Sequence, residues 1–203
     1  MQLKSPGSYC ILEHFAANAE EIELADYGMM LWGNTNYNFN EASMGWVATS
    51  NFESFLHTTR GWSKPHLIGY MESHDEERLM YKNLQFGNNS NTAHNVRDLN
   101  TALRRNELCA GFFLTAPGPK MIWQFGELGY DFSINRCVDG SINNNCRLDN
   151  KPIRWDYKDV IQRKRLYDIY SSLNKLRFHP WYKDVFIANN INLSKNLGGA
   201  FKS

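Results

Sequence analysis

His66-Leu67-Ile68-Gly69-Tyr70-Met71-Glu72-Ser73-His74-Asp75-Glu76-Glu77-Arg78 divides into two unlike halves. The first is a short apolar run, the right length for a strand buried on both faces. The second turns abruptly polar and delivers a His, an Asp and an Arg where the strand ends. Parallel α/β sheets and barrels build their sites at the C-terminal ends of strands. On this stretch alone, a strand followed by an ordinary charged loop is the commoner arrangement, and the rest of the chain has to tip the balance.

On the N-terminal side, residues 8–15 read as a buried strand with Glu13 near its C-terminal end. Asn18-Ala19-Glu20-Glu21 has the form of a helix cap with a Glu at the third helical position, predicting a short helix to residue 27. Residues 29–32 predict a second strand, which opens into a loop rich in Asn and aromatics over 33–40. Ser50-Asn51-Phe52-Glu53 is a further capping signal and predicts a helix over 51–58. On the C-terminal side comes a long polar loop containing Gly87 and Asn88. Asp98 then caps a helix that runs through Leu103, Cys109 and Phe113 and becomes apolar all round, as a buried helix does. Pro117-Gly118-Pro119 stops it. Residues 120–125 predict a fourth strand, followed by a long loop and a helix over 161–178. From Trp181 short alternating runs such as Ile191-Asn192-Leu193-Ser194 predict the start of a separate β-domain. The expected division is therefore 1–180 and 181–203.

Strand-then-helix units in succession argue for parallel strands joined by right-handed crossovers. Four of them cannot close an eight-stranded barrel, so the sequence describes either a small open α/β sheet or half of something larger. No repeat of 20–50 residues, the signature of a solenoid, is visible.

Composition narrows the function. The 203 residues suffice for one sizeable domain with a real core. The net charge of +1, with no basic stripe or acidic run, makes nucleic acid and anionic membrane poor partners. No segment approaches the roughly 20 apolar residues of a membrane span. The first seven residues lack the apolar core of a signal peptide and lead straight into a strand. Aromatic residues make up 14% of the chain, and rings beside Asn, Asp and His suit hydroxylated ligands such as sugars, although many must fill the core. Cys10 and Cys109 sit in apolar surroundings and read as buried thiols. Cys137 and Cys146 flank a polar loop and are spaced to close a small disulfide, which would place the chain in an oxidising, periplasmic or secreted setting. No Cys has metal-site spacing.

These strand ends resemble those of the α-amylase family, glycoside hydrolase family 13. Ile11-Leu12-Glu13 is similar to the family's fifth barrel strand, which delivers the acid/base Glu. Glu72-Ser73-His74-Asp75 is similar to the seventh-strand motif, with Ser73 where Asn is commoner. Gly118 to Glu127 resembles the eighth strand and its Gly-Glu turn. Arg147 through Arg154-Trp155-Asp156 is similar, at looser spacing, to the Arg-x-Pro-Met-x-Trp loop. The resemblance spans roughly residues 8–178. It implies an α/β fold, a partial TIM (β/α)8 barrel holding strands five to eight, leading into a C-terminal β-domain. The family's third-strand Asp…Asn-His pair and its fourth-strand Arg-x-Asp, which supplies the nucleophile, have no counterpart. His94-Asn95-Val96-Arg97-Asp98 has similar letters but sits in a polar loop.

The resemblance implies an enzyme fragment that would hydrolyse or transfer α-1,4-glucosidic bonds in starch- or glycogen-type glucans by a retaining mechanism. Glu13 would be the acid/base, its pKa raised by apolar surroundings. Asp75 would be the third carboxylate, holding sugar hydroxyls, and His74 would donate to the same sugar. Trp32 and Tyr37, with Trp46, would stack on sugar rings, with core packing an even alternative for each. Arg78 would brace its loop and Glu127 would position the last one. The family's structural calcium takes its main ligands from the absent half, so no cofactor or metal is assigned here and calcium is left to a full-length protein. Without the nucleophile strand the chain alone should be inactive. Inward-facing Met29, Leu31, Ile68 and Met121 would lack partners, which invites a homodimer through the open edge. Sequence does not separate amylase, branching enzyme and α-glucosidase. The alternatives are a non-catalytic glucan-binding or scaffold relative, an unrelated small α/β domain, and a metal-binding His-Asp dyad of the phosphohydrolase type, disfavoured because the six His are scattered.

Overall fold

The computed structural model describes residues 3–188, 194–197 and 202. Four parallel strands form one sheet in consecutive order: β1 (Ile11–Leu12), β2 (Met30–Asn34), β3 (Leu67–Tyr70) and β4 (Lys120–Met121). The register pairs Leu12 with Leu31, Trp32 with Ile68, and Tyr70 with Met121. The two edge strands are much shorter than their apolar runs. Each has a ladder partner on one side only, so pairing stops where the chain can instead turn toward solvent. The long connections carry five helices, α1 (Asn18–Tyr27), α2 (Asn36–Met44), α3 (Leu79–Phe86), α4 (Leu99–Thr115) and α5 (Ile161–Arg177).

Alternation along the strands separates the two faces of the sheet. Leu31 and Leu67 pack with Ala25 of α1 and with Trp62. Ile11, Met30, Trp32, Ile68 and Met121 line the opposite face, which opens onto a cavity of about 950 Å³. Met30 and Trp32, in place of Met29 and Leu31, thus share a face with Ile68 and Met121, because the ladder pairs Trp32 with Ile68 and Leu31 with Leu67. A larger core cluster joins Phe39 of α2, Phe52, Phe55 and Phe113 of α4 to Leu166 and Tyr170 of α5. Phe39 stacks on Phe52 with ring centroids 4.4 Å apart and meets Phe55 and Phe113 edge-on.

α4 and α5 lie where the sequence predicts them. The Asp98 side chain accepts from the Asn100 and Thr101 amides at 3.0 and 3.1 Å, satisfying two of the helix's orphan donors. Other expectations need correction. Asn18 is not a cap: it is the first residue of α1, with Ala17 at the N-cap. Its side chain instead donates to Arg60 O and accepts from Trp62 Nε1. The predicted 51–58 helix is a single 3-10 turn, Glu53–Phe55, because Asn51 Oδ1 takes the Glu53 amide into a local turn. The 33–40 stretch is the end of β2 followed by α2. That helix rests on tertiary hydrogen bonds rather than on propensity: Asn36 Nδ2 donates to Met71 O and Glu77 O, and Asn40 Nδ2 donates to Asn36 Oδ1 one turn earlier. The polar loop after β3 contains α3, whose first amide, Leu79 N, donates to Glu72 Oε1 at 2.7 Å.

The described part of the tail packs on this body. The Arg177 guanidinium lies 4.6 Å from the Phe186 ring centroid, and Gly118 N donates to Phe186 O. Leu197 joins the main core cluster, and Lys195 Nζ reaches Glu53 at 3.3 Å. Residues 191–193 of the expected strand lie outside the described residues, as do 198–201 and 203. Cys137 and Cys146 are bonded, with Cα atoms 5.0 Å apart. Cys109 is buried, whereas Cys10 is only half-buried, at the edge next to β1. Thiol counting on denatured, unreduced protein should therefore find Cys10 and Cys109 reactive and no others; four reactive thiols would contradict the bridge.

One core group makes the fold sensitive to acid. His57 is 1% exposed, and neither ring nitrogen has a hydrogen-bond partner among the described residues. Burial, then the charge of Lys120, then His66, push its imidazole below the ordinary value. The unfolded chain therefore takes up this proton first, so the contribution is fully present above about pH 6.5 and is lost as pH falls below it. Urea unfolding at pH 7.5 and pH 5.5 should show a loss of stability that His57→Phe reduces. An unchanged pH slope in the variant would assign the loss elsewhere.

Candidate active site

Two strand ends converge. Glu13 follows β1 directly. The chain leaving β3 is held as it turns: Thr35 Oγ1 donates to Tyr70 O and Asn36 Nδ2 to Met71 O, so the start of α2 clamps the end of β3. Ser73 Oγ then accepts the Asp75 amide at 3.1 Å and hydrogen-bonds Glu76. These contacts present His74 and Asp75 toward Glu13. His74 Nε2 lies 3.3 Å from Asp75 Oδ2 and 3.8 Å from Glu13 Oε1. Donor atoms of the three residues fall within 4.8 Å of one another.

The surround is aromatic. His74 meets Trp32 edge-on at 5.7 Å and lies 6.0 Å from Trp123. Trp32 also meets Tyr70 at 5.3 Å. The Tyr70 hydroxyl donates to Glu76 Oε1 at 3.4 Å, and Asn34 Nδ2 donates to the same oxygen. Burial, then Glu76, with smaller effects from Glu13 and Asp75, push the Tyr70 phenol well up, so it remains a neutral donor. Arg147 Nη2 donates to Asp75 Oδ1 at 3.2 Å and to the Asp75 carbonyl. His74, Trp123, Arg147 and Asp149 share the lining of a further pocket of about 260 Å³.

Glu13, His74 and Asp75 come together as the sequence suggests, and Trp32 flanks them. Glu13 is not enclosed by apolar groups: its side chain is 42% exposed, and that of Asp75 is 49% exposed. The apolar residues around it in sequence do not cover it because Ile11 and Phe15 are themselves more than half exposed. Tyr37, in the first turn of α2, is 61% exposed. Trp46, beyond the other end of α2, donates to Phe86 O at the C-terminal end of α3 and does not belong to the site. Arg78 is a buried brace: it lies 3.9 Å from Glu72 and under the rings of Tyr130 and Trp123. Glu127 is half-buried beside Trp123 and α5, with burial pushing its carboxyl up and Arg78 pulling it down.

Among the described residues, two sets of donors are grouped closely enough to hold a cation. One has its sulfurs tied in the Cys137–Cys146 bridge. The other is Glu13, His74 and Asp75, where Arg147 already supplies positive charge to Asp75. Hydrogen bonding to a neutral polyol is the chemistry that this set offers most directly. Sequence reading missed Tyr70, Trp123 and, as a site residue, Arg147. Tyr70 and Trp123 were within reach of strand alternation, each lying two residues beyond a residue of the open face, Ile68 and Met121. Arg147 was read only as the start of a loop, and nothing local ties it to Asp75. No protein-family model matches the chain, and no curated protein matches it.

Proposed function

We propose that this chain carries part of the catalytic site of a retaining glycoside hydrolase or transglycosidase of the α-amylase type, acting on α-1,4-glucans. The observation that carries the reading is the meeting of Glu13, His74 and Asp75 at the C-terminal ends of β1 and β3, flanked by Trp32 and Trp123. In this reading Glu13 gives a proton to the leaving oxygen and later takes one from water. Asp75, oriented by Arg147, accepts from sugar hydroxyls and favours the flattened, oxocarbenium-like ring. His74 donates to the same sugar, and Trp32 and Trp123 offer ring surface to its C–H face. The consecutive parallel order and the uncovered face fit half of a (β/α)8 barrel, with that face covered in a larger barrel or a homodimer. The bridge fits an oxidising compartment. No metal is assigned.

A second reading, a non-catalytic glucan-binding relative, draws on one observation: the openness of Glu13, where an acid catalyst needs surroundings that keep it protonated. Both readings require glucan at this cleft. Calorimetric titration with maltoheptaose should give binding that Asp75→Ala weakens by about tenfold to a hundredfold, the size expected for losing hydrogen bonds to a charged group. Trp46→Ala should leave affinity unchanged. Equal affinity for wild type and Asp75→Ala would exclude this cleft as the glucan site.

A further inference from the structure

We propose that the Cys137–Cys146 bridge is a positioning device for the candidate site: it holds Arg147 against Asp75, and its reduction releases that contact. The proposal deepens the glycosidase reading and rests on it for the identity of the ligand.

The loop that carries the bridge has a firm root and a loose body. At the root, Glu77 accepts from Ser133 Oγ at 2.6 Å and from the Ile134 amide at 2.9 Å, two residues beyond Asp75 in the chain. Residues 138–145 are all exposed, including Val138 at 76%, so apolar packing does little to fix them. Past the bridge, Leu148 is 93% exposed. The covalent tie from the loop's entry at Cys137 to its exit at Cys146 is the disulfide; hydrogen bonds add to it, with Cys137 N donating to Ser141 O, Asn143 N to Asn135 O and Asn135 Nδ2 to Asn144 Oδ1, while Lys151 Nζ donates to the carbonyls of Cys146 and Asp149. Arg147 is the next residue after Cys146. Its guanidinium reaches both the carboxylate and the carbonyl of Asp75, 72 residues away in sequence. A contact made by one long side chain across an exposed loop loses much of its strength when the loop is free to move, because ordering that loop again costs entropy.

A dithiol gives two electrons and two protons to the cystine, the S–S bond breaks to leave Cys137 and Cys146 as thiols, and the dithiol closes into its own disulfide. With the loop freed, Asp75 loses the donor that aims it. Arg147 is a positioning residue in this account, acting through Asp75.

Two readouts test it on the whole chain. The first needs no ligand. In oxidised protein, Asp75→Asn should move the Arg147 Nε–Hε resonance; after reduction with dithiothreitol the same substitution should leave it unmoved. The second is a cycle of maltoheptaose affinities. Replacing both cysteines by Ser should weaken binding roughly tenfold, the scale of one charge-assisted hydrogen bond, and should have no further effect in an Arg147→Ala background. A resonance that responds to Asp75→Asn equally in both redox states would overturn the proposal. So would cysteine replacement that weakens binding by the same factor with and without Arg147. If the resonance behaves as expected while no form binds maltoheptaose, the linkage from bridge to Asp75 stands and the glucan reading falls.

Discussion

Replacing Arg78 by Leu is expected to destabilise the fold by about 3–5 kcal/mol, the scale found when one partner of a buried ion pair is removed. Arg78 is 3% exposed, and Glu72 beside it is also buried. Glu72 Oε1 accepts the first amide of α3, and its other oxygen faces Arg78 at 3.9 Å. The pocket around that oxygen is tight: a Cβ on Gly126 would come within 2.5 Å of Glu72 Oε2, which is why the turn after β4 needs glycine there. Burial pushes the Glu72 carboxyl up, and Arg78 is the first influence pulling it down. Without Arg78 the carboxylate is stranded, and folding then favours its protonated form more strongly. A carboxyl whose folded pKa is raised favours folding below its unfolded pKa, so the deficit of Arg78→Leu should narrow as pH is lowered toward about 4 and widen as it rises. Adding Glu72→Gln should recover part of the loss. The measurement is the urea midpoint of wild type, single and double variants. A loss below about 1 kcal/mol would mean that the pair is as dispensable as an exposed one.

The second large effect is an absence of turnover. A retaining glycosidase needs a nucleophilic carboxylate about 5–5.5 Å from the acid/base. In the glycosidase reading Asp75 holds substrate, and no strand end of this sheet carries an Arg-x-Asp. The letters do occur at Arg147-Leu148-Asp149 and Arg154-Trp155-Asp156. Both lie in the loop after β4, and the Asp156 carboxylate is taken up by Arg154. The 203-residue chain is therefore expected to release no reducing sugar from soluble starch above background, and Glu13→Gln should change nothing. Turnover that Glu13→Gln abolishes would reassign Asp75, whose spacing from Glu13 lies near the retaining range, as the nucleophile.

What the sequence made legible follows the strength of its local signals. α4 could be read because an Asp cap and a continuous apolar surface agree on it, and β3 because an apolar run ends abruptly in charge. Glu13, His74 and Asp75 could be read because parallel sheets gather chemistry at strand ends. α2 could not, because Asn36 and Asn40 are loop formers by propensity and become helical through bonds to Met71 O and Glu77 O that only the fold supplies. α3 was hidden for the same reason: its first turn is fixed by the buried Glu72, and Asn83 within it donates to Ser43 and Asn106 on two other helices. Arg147 reaches the site through a disulfide loop, and a contact of that kind leaves no periodic trace.

The claim that this cleft binds α-glucan is tested most directly by following the six tryptophan indole N–H resonances during titration with maltoheptaose. Trp32 and Trp123, on either side of His74, should shift together and saturate at one affinity, and both responses should weaken in Asp75→Ala. Trp46, held at Phe86, and Trp181, 82% exposed on the tail, should stay in place. Shifts confined to Trp155 and Trp181, or a titration that moves none of the indoles, would contradict the account.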